Sequence, residues 1–295
     1  MGVARPLDTG HHMRRAVVLI CLAMFALACM DAISKHLAQT YPISQMLAVR
    51  FWMFSGFALL LCRGRIREAL RTSHLGLQLL RGIVITFEVA VFVLAFKHLP
   101  LADAHAVAGI APLLVTALAV PFLGERVGWR RWLAVAGGFA GLLIILRPGL
   151  AVFDSAALIP LLGALLWAIY QLLVRRTSDD SPSTLMLYMA LIGAIVMSAI
   201  APFYWITPDV EGWCFLFALG FVGSLGHWLL ILALRAAPAS QIQPFNYTVI
   251  VWAALLGALI FEDLPDAWTV IGAVVIIASG TYAWYREQRS VSTRG

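Results

Sequence analysis

Charge is scarce in this chain: 12% of its 295 residues are Asp, Glu, Lys or Arg, whereas 62% are hydrophobic. A typical soluble domain carries about 25% charged residues, because its surface has to face water. The composition therefore excludes an ordinary soluble globular protein and indicates a surface that faces hydrocarbon. We predict an all-α, multi-pass membrane protein.

Several signatures of other protein classes are missing. The four cysteines, Cys21, Cys29, Cys62 and Cys214, show no C-x-x-C or Cys/His spacing, so we expect small packing residues and no metal site. No Walker A sequence is present, which excludes direct ATP drive by this chain. There is no H-E-x-x-H motif, and Ser224 with His227 lies on one predicted helix without defined partners. We expect neither an enzyme nor a cofactor.

Long apolar runs are abundant instead. A membrane span needs roughly 20 mostly apolar residues to cross a hydrocarbon core of about 30 Å. The segments that qualify run from Ala16 to Ala38, Ile43 to Cys62, Leu75 to Phe96, Leu101 to Leu123, Trp129 to Leu146, Ser155 to Val174, Ser183 to Tyr204, Gly212 to Leu234, Ala239 to Phe261 and Ala267 to Trp284. The sequence therefore predicts ten transmembrane helices.

The basic residues between these spans set the orientation. If the N-terminus is cytoplasmic, the inner side holds 16 of them and the outer side only Lys35, Lys97 and Arg147. Basic residues concentrate on the cytoplasmic side of membrane proteins, so we predict that both termini are cytoplasmic. The net charge of +6 then follows from topology, and no nucleic-acid partner is needed.

The ten spans divide into two copies of a five-span unit, offset by about 140 residues. Because five is odd, the second copy must be inverted relative to the first. The predicted divisions are an N-terminal tail (1–15), a first repeat (16–148), an inverted second repeat (149–285) and a C-terminal tail (286–295). Inverted repeats build secondary transporters whose substrate site lies between the repeats. Since one chain contains both, a monomer is sufficient to form the cavity.

The repeat is also visible in the residues. The stretch 95–102, AFKHLPLA, matches 233–240, ALRAAPAS, at a shift of 138 residues. Further on, 123–126, LGER, aligns with 260–263, IFED, and each is followed by a span rich in small residues. Small residues allow helices to approach closely in lipid. We expect the last span of each half to pack as scaffold.

These features together resemble the drug/metabolite transporter superfamily, EamA type. The motifs that carry the resemblance are PFLGER at 121–126, LAVRF at 47–51 and RAAPAS at 235–240, on the ten-span plan. The resemblance implies a carrier of the bacterial inner membrane with a central cavity, similar in kind to the YddG-like amino-acid exporters. It supplies no substrate motif for these residues.

Polar residues within spans are the candidate site, because an ionisable group at mid-span is disfavoured by about 2.5 to 3.5 kcal/mol on insertion scales. In the first half, Asp31 and Arg50 lie at matching depths, which predicts an ion pair that is structural or part of a gate. Glu88 lies at a similar level as a candidate substrate-binding carboxylate. His105 lies slightly nearer the outer side, and we group it with the ion pair.

The second half contributes a neutral or titratable set, nearer the cytoplasm. Gln243, Asn246 and Tyr247 recur at helical spacing and predict one amide and aromatic face. The predicted substrate-binding residues of this half are Trp167, Tyr170, Gln171, His227, Trp228, Gln243, Asn246 and Tyr247. A cavity of this composition suits medium-sized amphipathic solutes better than inorganic ions.

We therefore predict a secondary transporter that exports amino acids or similar small metabolites by alternating access. The alternative is a multidrug efflux carrier for lipophilic cations, which a carboxylate among aromatic rings would suit. Each titratable group also has a structural interpretation, such as an ordinary hydrogen bond from His227 to the backbone. Facilitated exchange and proton coupling both remain open as energy sources.

Overall fold

The computed structural model describes residues 9–62, 64–124, 128–147, 155–177, 179–236 and 243–292. Regular structure in this part of the chain is helical, with no strand. The α-helices are α1 (Thr9–Leu37), α2 (Ile43–Leu61), α3 (Ile66–Ala69), α4 (Leu75–His98), α5 (Leu101–Ala108), α6 (Ala111–Leu123), α7 (Trp129–Leu146), α8 (Leu158–Arg176), α9 (Pro182–Ile200), α10 (Val210–Ala236), α11 (Thr248–Phe261) and α12 (Ala267–Ser292). Short 3-10 turns precede α8 and α11 and follow α9.

Eight helical segments in the described residues are long and apolar enough to cross a membrane. Two shorter apolar helices, Trp132–Leu146 and Phe245–Phe261, fall on the predicted fifth and ninth spans. Large apolar side chains project outward from these helices; Leu60, for example, is 77% exposed and Leu259 is 79% exposed. Such a surface is stable only in contact with lipid, so the prediction of an all-helical, multi-pass membrane protein is confirmed.

Helix ends follow local sequence signals. Ser181 caps α9 by accepting a 3.1 Å hydrogen bond from the backbone N–H of Thr184, and Pro182 occupies the first helical position.

The first and last helices extend further toward the chain ends than the sequence predicts. The first helix begins at Thr9, inside the predicted tail, and α12 continues to Ser292. The predicted start of the ninth span at Ala239 lies outside the described residues.

The fourth span of the first half is interrupted, which the sequence analysis did not predict. In the first half, α5 ends at Ala108 and α6 begins at Ala111. Pro112, in the first turn of α6, has no N–H to bond the carbonyl of Ala108. In the second half, a 3-10 turn containing Pro244 leads into α11. Discontinuous helices in transporters usually lie beside the substrate site.

The helices pack in pairs that the repeat relates. Helix α1 packs on α10 and α11, while α8, its counterpart, packs on α4 and α6. In the same way, α2 contacts α10, and its counterpart α9 contacts α4. Three helices also contact their own counterparts directly: α2 contacts α9, α5 contacts α11 and α7 contacts α12. Ile159, near the start of α8, packs against the cluster that contains Ala32, close to the end of α1.

We name the two ends of the bundle after Lys35 and Arg81, a cation found at each. The Lys35 end contains Lys35, Arg147 and Asp263. The Arg81 end contains Arg81 and Asp180, where Gln78 connects the two side chains by hydrogen bonds. The polar residues described below lie between these ends.

Helices α7 and α12 form a tightly packed pair through small residues. A Cβ atom added to Gly141 would lie 2.9 Å from the carbonyl oxygen of Gly272 and 3.1 Å from the backbone nitrogen of Ile276. Backbone atoms cannot move aside as a flexible side chain can. The glycine is therefore required for this helix contact, as expected for a scaffold pair in lipid.

We predict that Gly141→Ala lowers the stability of the protein by about 1 to 3 kcal/mol, the usual cost of overpacking a close contact. The matched control is Gly56→Ala in α2, where a Cβ would meet no atom within 4 Å. That substitution should be neutral or slightly stabilising, because alanine favours helix. Thermal unfolding in detergent checks both, and equal melting temperatures for the two variants would contradict the packing described.

Candidate functional site

A hydrogen-bonded pair of titratable side chains joins α1 to α5. Oδ2 of Asp31 lies 3.1 Å from Nε2 of His105. The imidazole also lies against two rings of α4, with centroid distances of 5.5 Å to Phe96 and 6.2 Å to Phe92. The pair therefore presents one carboxylate beside an aromatic wall.

Arg50 and Glu88 form the charged centre of the bundle. Their side chains come from α2 and α4, and only 8% and 7% of the two residues is exposed. Coulombic interactions connect the Arg50 guanidinium to the carboxylates of both Glu88 and Asp31. A buried charge is tolerated only when opposite charges or hydrogen bonds compensate it. Arg50 thus lies within electrostatic range of both carboxyl groups, with no ion pair of 4.0 Å or less to either among the described residues.

The predicted direct ion pair between Asp31 and Arg50 is not formed. Asp31 bonds His105, and within the described residues no ion pair of 4.0 Å or less joins it to Arg50. The two helices are not close neighbours, because α1 packs on α10 and α2 packs on α9 and α10. Consecutive spans in the sequence need not be packed partners.

Glycines on α10 let α1 lie close against it, beside Arg50. A Cβ on Gly226 would lie 2.9 Å from Cδ2 of Leu27 on α1, and one on Gly223 would lie 2.8 Å from Sδ of Met30. The same Gly223 position is 3.9 Å from Nε of Arg50. Small residues on α10 therefore bring the charged centre together from both halves of the chain.

His227 lies on α10 at the edge of this centre. Its Nδ1 donates a 2.8 Å hydrogen bond to the carbonyl oxygen of Gly223, one turn earlier, as the structural interpretation of this residue expected. Its ring packs edge-on against Phe54 at 5.4 Å. Electrostatic interactions still connect it to Arg50 and Asp31. Trp228, next in sequence, packs against Phe57 instead.

Helix α8 supplies an aromatic pair on the side of the Arg81 end. The rings of Trp167 and Tyr170 lie 5.4 Å apart, and Tyr170 interacts electrostatically with Glu88. Gln171, the next residue, is half-buried. The hydroxyl of Tyr170 accepts from Arg81 at 3.4 Å, and the roles of Trp167, Tyr170 and Gln171 in substrate binding remain predictions.

Sequence reasoning underestimated Arg81, which is only 1% exposed. Its guanidinium donates to Oε1 of Gln78 at 2.7 Å, to the carbonyl oxygen of Leu185 at 2.6 Å and to the hydroxyl of Tyr170 at 3.4 Å. Gln78 in turn donates to Asp180 at 2.6 Å. This network joins α4 to α8 and α9. In the sequence, the one sign of this network was the position of Arg81 inside an apolar span.

The predicted face on span nine is not formed as expected. Residues Gln243 to Tyr247 adopt a 3-10 turn, so the α-helical spacing used to align them does not apply. Tyr247 is buried against α12, where its hydroxyl contacts Gly280. Asn246 is half-buried, and the side chain of Gln243 lies outside the described residues. Their part in substrate binding remains a prediction.

Two ion pairs fasten the Lys35 end. Lys35 binds Asp263 in the connection between α11 and α12, and it also donates to the carbonyl oxygen of Leu99 at 3.3 Å. Arg147, at the end of α7, binds Asp266 in the same connection at 2.6 Å. The backbone N–H of Thr269 lowers the pKa of the Asp266 carboxyl, and Arg147 lowers it further. Sequence analysis had counted both cations only as flanking charges.

The charged centre combines groups of both signs with aromatic rings. It offers one guanidinium, two carboxylates and two imidazoles, with Phe92 and Phe96 as apolar surface. Within the described ranges, no group of three His, Cys, Asp or Glu side chains could hold a metal ion. A solute with both a negative and a positive group would find a partner for each.

The fold and the site define a polytopic helical membrane protein with charged groups buried between its two halves. The EamA-like transporter family model matches residues 14–147 and again residues 154–283. The chain belongs to the EamA-like transporter family, as the sequence analysis inferred from its motifs.

Known relatives transport different molecules. The S-adenosylmethionine uptake transporter of Rickettsia prowazekii is 30% identical over 90% of each chain. The riboflavin transporter of Vibrio cholerae is 33% identical over 72% of this chain and 73% of its own. The pseudopaline exporter CntI of Pseudomonas aeruginosa is 26% identical over 90% and 95%. A solved crystal structure also matches the fold, with 20% identity, a TM-score of 0.61 and coverage of 96% and 98%.

We predict that Arg50→Gln lowers stability by about 3 kcal/mol, because it leaves buried carboxylates without their cation. Adding Glu88→Gln should restore a large part of that loss, since fewer buried charges then need compensation. The matched control is the exposed pair Arg65 and Glu68, 4.0 Å apart, where the same pair of changes should have almost no effect.

Thermal unfolding in detergent compares the stability of the starting protein, the variants Arg50→Gln and Glu88→Gln, and the double variant. Strictly additive losses for Arg50→Gln and Glu88→Gln would show that the two charges do not compensate each other.

Proposed function

We propose that the protein is a secondary transporter for small metabolites that carry an amino-acid group, with free amino acids as the simplest case. The observation that carries the proposal is Arg50, buried between the helices within electrostatic range of Asp31 and Glu88. A carboxylate of the cargo would bind Arg50, and an ammonium or other cationic group would bind the two acidic side chains.

The packing of the helices supports alternating access. The charged centre draws Asp31, Arg50 and Glu88 from the first half and His227 from the second. The interrupted fourth span of the first half and the 3-10 turn before α11 add the irregular backbone common beside transporter sites. We propose ten spans in two inverted halves, with both termini cytoplasmic, in a bacterial inner membrane. A single chain then contains the whole cavity.

S-adenosylmethionine is the first cargo to test. It combines an α-amino-acid group with a cationic sulfur, which matches one guanidinium and two carboxylates, and a relative of 30% identity is named for its uptake. The direction of transport in this chain stays a separate proposal. The sequence analysis expected export, and the relatives named above include both an uptake transporter and an exporter.

A lipophilic-cation carrier is the second candidate. The wall of Phe92 and Phe96 around Asp31 and Glu88 would hold an aromatic cation without any need for Arg50. The two candidates therefore differ in what Arg50 does, and an experiment on this residue separates them.

We predict counterflow of labelled S-adenosylmethionine or an amino acid into proteoliposomes preloaded with unlabelled cargo, which a channel would not show. Riboflavin and a lipophilic dication complete the panel. Arg50→Gln should reduce transport of the carboxylate-bearing cargo at least about tenfold, since a hydrogen bond to a charged group contributes about 1.5 to 3 kcal/mol. The decarboxylated analogue of the same cargo should be insensitive to this change.

Glu68→Gln, on the exposed helix α3, is the control that should leave every rate unchanged. If Arg50→Gln lowers the transport rates of the acid and of its decarboxylated analogue equally, Arg50 has a structural role. Transport of the dication alone would favour the second candidate. Repeating the assay with a pH gradient tests proton coupling, which Glu88→Gln should abolish if Glu88 carries the proton.

A further inference from the structure

The Lys35 side chain occupies a junction of three segments. It extends from α1, binds the Asp263 carboxylate between α11 and α12, and donates to the Leu99 carbonyl at the corner between α4 and α5. Its ammonium also lies 4.8 Å from the ring centroid of Phe261. Only 12% of the side chain is exposed. One cation therefore fastens the first half of the chain to the second.

This junction lies directly beyond the charged centre. Lys35 follows Asp31 by four residues, so both side chains lie on one face of α1, one turn apart. The corner at Leu99 leads into α5, which carries His105, the partner of Asp31. The junction therefore lies between the charged centre and the Lys35 end of the bundle.

The Asp263 side of the junction is held in place by its backbone. Glu262 adopts a left-handed conformation (φ 58°), and the N–H of Asp263 donates to the carbonyl of Gly257 at 3.1 Å. This geometry ends α11 with a hydrogen-bonded cap. Asp263 is thus held in a defined position at the end of α11.

We propose that the Lys35–Asp263 ion pair is the gate at the Lys35 end. It closes the route to the charged centre, and it breaks when that end opens. The proposal rests on the carrier function proposed above. The neighbouring pair of Arg147 and Asp266 is no part of the gate, because it joins the same connection to α7, which packs on α12 as scaffold.

The test measures access rather than transport, so it does not depend on the cargo. Ala28, fully buried and about one turn from Asp31 on the same face of α1, is replaced by cysteine in a chain whose four native cysteines are changed to alanine. A membrane-impermeant thiol reagent is applied to one side of the membrane at a time. The rate of labelling at position 28 reports the opening of each end.

Lys35→Gln and Asp263→Asn should each raise labelling about tenfold, on the scale of a lost partly buried ion pair. The increase should occur from one side only, the outside if both termini are cytoplasmic. The double change Lys35→Asp with Asp263→Lys should return labelling to within about twofold of the starting protein, because the attraction is restored with reversed sign. Arg147→Gln, the matched control, should leave labelling unchanged.

Unchanged labelling in Lys35→Gln and Asp263→Asn overturns the gate, even if transport is found. An equal rise in Arg147→Gln also overturns it, because the effect would then be general loosening. If no cargo of the panel is transported but labelling follows the prediction, the gate stands and the proposed cargo fails. Should Lys35→Gln not fold, Asp263→Asn and the charge-reversed double variant decide the matter.

Discussion

The structure depends on the compensation of charge in the interior of a helix bundle that lipid surrounds. Arg50 is the centre of this constraint, since it lies within the fields of Asp31 and Glu88 and is itself buried. An uncompensated charge at this depth is costly. Helices α1, α2 and α4 must therefore keep their polar faces toward one another, and α10 must bring His227 alongside. A cargo with its own charges would enter this balance directly.

Arg81 meets the same constraint by another route. Its guanidinium binds the neutral oxygens of Gln78, Leu185 and Tyr170, and a carboxylate is reached only through Gln78. Lys35 instead binds Asp263 directly. Among the described residues, cations with little exposure thus lie at three levels of the bundle, one near each end and one in the centre. Each level joins the two halves of the chain, while α7 and α12 pack through glycine.

Hydropathy predicted most of the fold because the thickness of the bilayer fixes the length of each apolar run. The start of α2 at Ile43 and the end of α7 at Leu146 agree with the predicted spans. The interruption between Ala108 and Ala111 was missed, because an apolar run reads the same whether its helix is continuous or broken. Pro112 was the one residue in the sequence that could have indicated this interruption.

The sequence placed the candidate residues on their spans but did not predict their contacts. Position along a span gives an expected level for Asp31, Arg50 and Glu88, whereas the neighbour of each helix depends on long-range packing. Asp31 therefore binds His105 rather than Arg50. Tyr247 was aligned by helical spacing that its 3-10 turn does not follow. Lys35 and Asp263, 228 residues apart, have no local pattern that could connect them.

The most direct measurement is a structure of the protein with a transported cargo bound, S-adenosylmethionine or an amino acid. We expect the cargo carboxylate to lie within hydrogen-bond distance of Arg50 and the cationic group of the cargo to lie beside Glu88 or Asp31. A cargo bound away from all three side chains, for example between Tyr247 and α12, would contradict the central claim.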